Sequence, residues 1–149
     1  MNVATLLNYR SQVEQALRNE LRHMQGVLQE ALSLVDQLEQ VAEQETRRYM
    51  QDAAQGLEAG HVAGRQAELE VLADRIKKAR DTVFEHQRRC DQKLADVMAA
   101  AQERKKLEVL DTRLRRQQEA AAAREEQRDI DELAGRRYLA DQRRSTPDQ

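Results

Sequence analysis

The sequence has a single proline, Pro147, two residues before its end. With no proline before it, the backbone is free to stay helical almost throughout. Aromatic residues are nearly absent: one Phe, three Tyr and no Trp. A β-sandwich or barrel needs regular turn signals and many β-branched or aromatic strand residues, so that class is excluded. There are five glycines and no glycine-rich phosphate loop, which excludes an α/β nucleotide enzyme. The one cysteine, Cys90, cannot form an internal disulfide, and this fits a reducing cytosol. No apolar run approaches the ~18 residues that span a bilayer, so no direct membrane insertion is expected. The opening MNVATLLNYRSQVEQ shows neither the basic nor the apolar region of a signal peptide.

What the chain does have is charge and helix formers. Charged residues make up 35%, against about 25% in an average domain. Mean hydropathy is −0.90. Ala, Glu, Leu, Arg and Gln dominate, as in long helices and coiled coils. From Leu17 the apolar residues fall at Leu21, Met24, Leu28, Ala31, Val35, Leu38 and Ala42, in alternating steps of 4 and 3. That is a heptad seam. Upstream, Val13, Leu17 and Leu21 are spaced 4 and 4, a phase shift that locally unwinds a supercoil. Val27, Leu34 and Val41 recur every seven residues beside the seam and widen the apolar stripe.

A second seam runs Leu69, Leu72, Ile76, Ala79, Val83, His86 and Cys90. Its apolar residues then jump phase through Leu94, Val97 and Ala101, and resume at Leu107, Leu110, Leu114, Gln117 and Ala121. Ile130 and Leu133 are a last apolar pair. Between the seams lies QGLEAGHVAGRQ, with Gly56, Gly60 and Gly64 every fourth residue. Glycine supplies positive φ at a helix C-terminus and weakens helix interiors, so the reversal is placed near Gly60. The expected fold is all-α: an antiparallel two-helix coiled coil, or helical hairpin, with a longer C-terminal helix. It is read as a single domain over 1–149. Helix one covers about 3–57, the turn 58–62 and helix two 63–142, with 143–149 a disordered tail. At 1.5 Å per residue the helices are roughly 80 and 120 Å long. Residue 3 then pairs with about residue 117, and 118–142 overhangs without a partner in its own chain.

Charge agrees with this pairing. Residues 1–60 hold 5 Lys/Arg and 9 Asp/Glu, net −4, while 61–149 hold 20 and 18, net +2. Exposed pairs are worth only tenths of a kcal/mol each, so they select the pairing and do not drive it.

No enzyme motif is present: no P-loop, GxGxxG, HExxH or paired CxxC. His86 and Cys90 lie four apart on one helix face, but two ligands do not close a metal site and both occupy seam positions. A non-catalytic chain without metal or cofactor is expected. Arg104, Lys105, Lys106, Arg113, Arg115 and Arg116 form the densest basic cluster. No aromatic is interleaved with them, and Glu103, Glu108 and Asp111 dilute them, which argues against nucleic acid and leaves a solvated helix face or a docking surface for an acidic protein. Phe84, the only Phe, sits beside the seam residue Val83 and is either a flank of the core or an outward anchor.

The segment ERKKLEVLDTRLRRQ, followed by the tail IDELAGRRYLADQ, resembles the flagellar export protein FliJ. The resemblance rests on Lys105, Lys106, Leu107, Leu110 and Arg113, then on Asp131, Glu132, Leu133, Ala134, Arg136, Arg137 and Tyr138. The LLNYR opening agrees with it as well. It implies a coiled-coil stalk that enters the ring of the export ATPase hexamer, promotes its activity, links it to the membrane export gate and carries export chaperones. The ATPase contact is then expected on Arg104, Lys105, Lys106, Arg113, Arg116, Asp131, Glu132, Leu133, Arg136, Arg137 and Tyr138, and the gate contact at Phe84. The implied location is the cytoplasm, peripheral to the inner membrane's cytoplasmic face. Virulence-type secretion stalks share this architecture. The competing reading is a cytosolic coiled-coil chaperone or scaffold with no ATPase partner.

Overall fold

The computed structural model describes residues 2–145 and shows two α-helices, α1 (Val3–Ala54) and α2 (Ala59–Ser145). No strand occurs among the described residues. The protein is an all-α helical hairpin whose second helix is the longer, 87 residues against 52. Asn2 caps α1: its side-chain oxygen accepts the Thr5 amide at 2.7 Å, satisfying one of the orphan donors of the first turn.

The reversal lies at residues 55–58, a few residues before the expected 58–62. Gly56, at φ 89°, is the only described residue with positive φ. Its amide donates to the Ala53 carbonyl at 3.2 Å, the bond that closes an αL helix end. Gly60 and Gly64 lie inside α2. All three glycines satisfied the sequence criterion; only the backbone at one of them turns left-handed. Arg143–Ser145, expected in the tail, are helical, and the rest of that tail lies outside the described residues.

The chain divides into two compact bodies, Ser11–Ala101 and Met1–Arg10 with Gln102–Gln149. In the first, Leu21, Cys90 and Val97 form the buried core, with Leu17, Met24 and Leu28 packed against them. Ala79 is buried, and Leu69, Leu72, Ile76, Val83 and His86 are half-buried, as the second seam requires. Val13 is half-buried and Glu14 beside it is buried, so both flanks of the spacing shift turn inward. Arg18 satisfies the Glu14 carboxylate with two donors at 2.7 and 3.1 Å.

The phase jump expected after Cys90 does not occur. The inward residues continue as Lys93, Val97 and Ala100; of the expected residues Val97 is buried and Ala101 half-buried, while Leu94 stands 46% exposed. A lysine packs its aliphatic stem along the seam and carries its ammonium to the edge, so a polar letter can occupy an apolar position. Lys93 Nζ meets Glu20 at 2.7 Å. The other interhelical pairs of this body, Arg80 with Glu39 at 2.6 Å and Arg65 with Asp52 at 2.9 Å and Glu45 at 3.5 Å, have the same polarity. Each places an α1 carboxylate against an α2 cation and fixes the antiparallel register. Of the widening stripe, Val27 is half-buried, while Leu34 and Val41 are exposed. Val41 lines a shallow groove of about 500 Å³ with Ala67, Val71 and Leu72.

In the second body, Val3, Leu6, Leu7 and Arg10 of α1 are half-buried, as are Arg104, Leu107, Asp111 and Leu114 of α2. The expected seam residues Leu110, Gln117 and Ala121 are exposed instead. Arg104 and Asp111, although charged, hold inward positions. Asn2, Val3 and Ala4 lie across from Asp111, Leu114, Arg115 and Gln118 around a depression of about 430 Å³. Beyond Leu114 the shielding stops, and every residue from Arg115 to Ser145 is exposed. Among the described residues no helix is long and apolar enough to cross a membrane.

Candidate partner-binding surface

The basic cluster on α2 separates into cations that are paired and cations that are free. Arg104 is half-buried and bonds Glu108 at 2.6 Å. Lys106 meets Glu103 at 3.2 Å, and Arg115 meets Asp111 at 3.3 Å. Lys105, Arg113 and Arg116 are exposed and have no such partner among the described residues. They remain available to an external carboxylate. Relative to the inward residues Arg104, Leu107, Asp111 and Leu114, these three occupy the outer side of the helix.

The overhang has its own apolar patch. Ile130, Leu133, Ala134, Arg137, Tyr138 and Asp141 line one shallow depression of about 480 Å³. Their spacing of 3, 1, 3, 1 and 3 places them on a single helix face. Ile130 is 51% exposed, Leu133 55% and Tyr138 63%. The Tyr138 hydroxyl accepts a bond from Gln142 at 2.8 Å, which steadies the ring from its own helix. Of the residues expected at the contact, Leu133, Arg137 and Tyr138 share this face. Asp131, which accepts from Gln127 at 2.9 Å, Glu132 and Arg136 are exposed but do not line it. Glu132 and Arg136, four residues apart in the favourable order, form no ion pair. Ile130, Ala134 and Asp141 belong to the patch and were not among the expected contact residues. The signal for Ile130 was its i, i+3, i+8 spacing to Leu133 and Tyr138.

Phe84 is 72% exposed, the highest value among the exposed large hydrophobic side chains of the described residues. It stands beside a charged knot in which Arg88 and Arg89 both reach Glu85, at 2.9 and 3.4 Å. The Arg88 hydrogen bond holds the Glu85 carboxyl below its ordinary range, and the charges of both arginines reinforce it. His86 and Cys90 face the interior and join no group of three or more metal-ligating side chains among the described residues.

A family model described as the flagellar FliJ protein matches residues 2–143 of the 149. The chain belongs to the FliJ family. Comparison with curated proteins and with solved structures returned no match. FliJ proteins are non-catalytic components of flagellar protein export, and this FliJ-family chain has an export-related role in the flagellum. The match takes in both the basic cluster and the overhang patch.

Proposed function

We propose that this FliJ-family chain is the stalk of the type III flagellar export apparatus. It enters the export ATPase ring through its overhang, promotes turnover there and links the ring to the membrane export gate. Residues 130–141 support this reading best: an apolar face, exposed along a helix that packs on no other among the described residues, with Arg137 within it. A lone helix of this kind is marginal in water and gains order from a partner surface. Charge suits the task, because a stalk in a ring must shift between subunits; rim charges act through association rate and orientation, not permanent locking. One asymmetric helix contacts only some ring subunits at a time and therefore biases their states unequally.

Phe84 is the anchor for the gate in this reading, as an aromatic among charges on a face the hairpin leaves open. Export chaperones are further cargo of the same chain. The chain works in the cytoplasm, held at the inner membrane's cytoplasmic face by the apparatus. The test is removal of residues 130–149. The truncated protein is expected to keep the helicity of the rest of the chain by circular dichroism and to lose its stimulation of purified export ATPase. Full stimulation by the truncated protein overturns the assignment of the contact. Absence of stimulation by the intact chain favours the scaffold reading.

A further inference from the structure

The overhang contains a second heptad seam that the hairpin does not use. Glu119, Ala123, Glu126, Ile130, Leu133, Arg137, Ala140 and Arg144 follow one another in alternating steps of 4 and 3. Four of the eight, Ala123, Ile130, Leu133 and Ala140, are apolar and the other four are charged, so this is a charged seam around a short apolar centre. All are exposed. Glu119, Glu126, Arg137 and Arg144 have no hydrogen-bond or ion-pair partner among the described residues.

The charges are segregated. Both carboxylates precede the apolar centre and both guanidinium groups follow it. Glu126 and Arg137 are eleven residues apart, about 16 Å along a helix, so they do not meet in one chain. Reversing the seam and laying it on itself changes this. Glu119 then faces Arg144, Ala123 faces Ala140, Glu126 faces Arg137 and Ile130 faces Leu133, about a two-fold axis between residues 131 and 132. On one flank Asp129 faces Arg136. Every layer is complementary and occurs twice, as an isologous contact requires.

We propose that the overhang pairs antiparallel with the overhang of a second copy of this chain through this seam. A parallel pair would set Glu126 on Glu126 and Arg137 on Arg137, so charge fixes the orientation. The central Ile130 and Leu133 layers supply apolar burial, and the long arginine side chains keep their charged heads in water. Leu133 and Arg137 also belong to the ATPase contact, so the paired chain and the ring-bound chain exclude one another. That last consequence alone rests on the proposed function; the pairing does not.

The experiment is sedimentation equilibrium of the full chain without any ATPase. At low salt the mass is expected to rise with concentration from 17.2 kDa towards twice that value, and added salt is expected to reverse the rise. Glu119→Arg with Glu126→Arg makes the seam wholly basic, and Arg137→Glu with Arg144→Glu makes it wholly acidic. Each double variant alone is expected to self-associate about tenfold or more weakly, and an equimolar mixture to recover the dimer. Circular dichroism of each variant confirms that it remains helical. Orientation is read by cysteine cross-linking: an Ala123→Cys chain is expected to couple to an Ala140→Cys chain and not to itself. A monomeric wild type, a mixture that does not associate, or preferential 123–123 coupling overturns the proposal. If dimerisation holds but the dimer stimulates the ATPase as well as the monomer does, only the exclusion clause falls.

Discussion

Three glycines stand four apart around the reversal, and the structure gives them different energetic roles that substitution separates. Gly56 has φ +89°, and a Cβ added there meets nothing within 4 Å. The cost of Gly56→Ala is therefore backbone strain alone, about 1–2 kcal/mol for an L-residue held left-handed. Gly64 is helical, and a Cβ there also meets nothing within 4 Å. Gly64→Ala therefore stabilises by about 0.5–1 kcal/mol, through helix propensity and a less free unfolded chain. Gly60 sits in the first turn of α2 and gains less. The two alanines differ by about 2 kcal/mol with opposite signs, a gap of about 4–8 °C in melting temperature. Thermal unfolding followed by circular dichroism at 222 nm reads this directly. Equal melting temperatures for Gly56→Ala and Gly64→Ala, or a larger loss at Gly60 than at Gly56, would refute the placement of the turn.

Leu21→Ala removes a core residue that packs with Cys90 and Val97, and is expected to cost about 2–3 kcal/mol, read as a shifted urea midpoint. A loss below about 0.5 kcal/mol would place Leu21 outside the core. Phe84→Ala should leave the melting temperature within about 1–2 °C, because the side chain is 72% exposed, while reducing capture by the export-gate protein; unchanged capture removes the anchor. The Glu85 carboxyl is held below its ordinary range by Arg88, so its contribution is present at neutral pH and is lost as pH falls through the carboxylate range. The stability difference between wild type and Glu85→Gln should therefore shrink on acidification. A difference that stays constant from neutral pH to pH 3 contradicts this.

Much of the architecture is written in the first dimension. The lack of any proline before Pro147, scarce aromatics and 4–3 spacing leave a helical pair as the class of fold, and the single glycine-marked reversal between the two seams makes the helices antiparallel. The residues from Leu17 to Ala42 and from Leu69 to Cys90 are legible because the seam there is apolar, and burial follows apolarity. The overhang is legible too, since it follows from unequal helix lengths. What tertiary structure decided is where polar residues take seam positions. Lys93, Arg104 and Asp111 turn inward while Leu94 and Leu110 turn outward, because the 3.5-residue geometry of a packed helix pair outweighs the hydropathy of any one residue. It also chose Gly56 among three equivalent glycines, a choice made by the register of the packed helices. And it set the apolar face of residues 130–141 apart from the hairpin's own seam, because shielding by the shorter helix stops at Leu114 and leaves each later residue on its own helical phase.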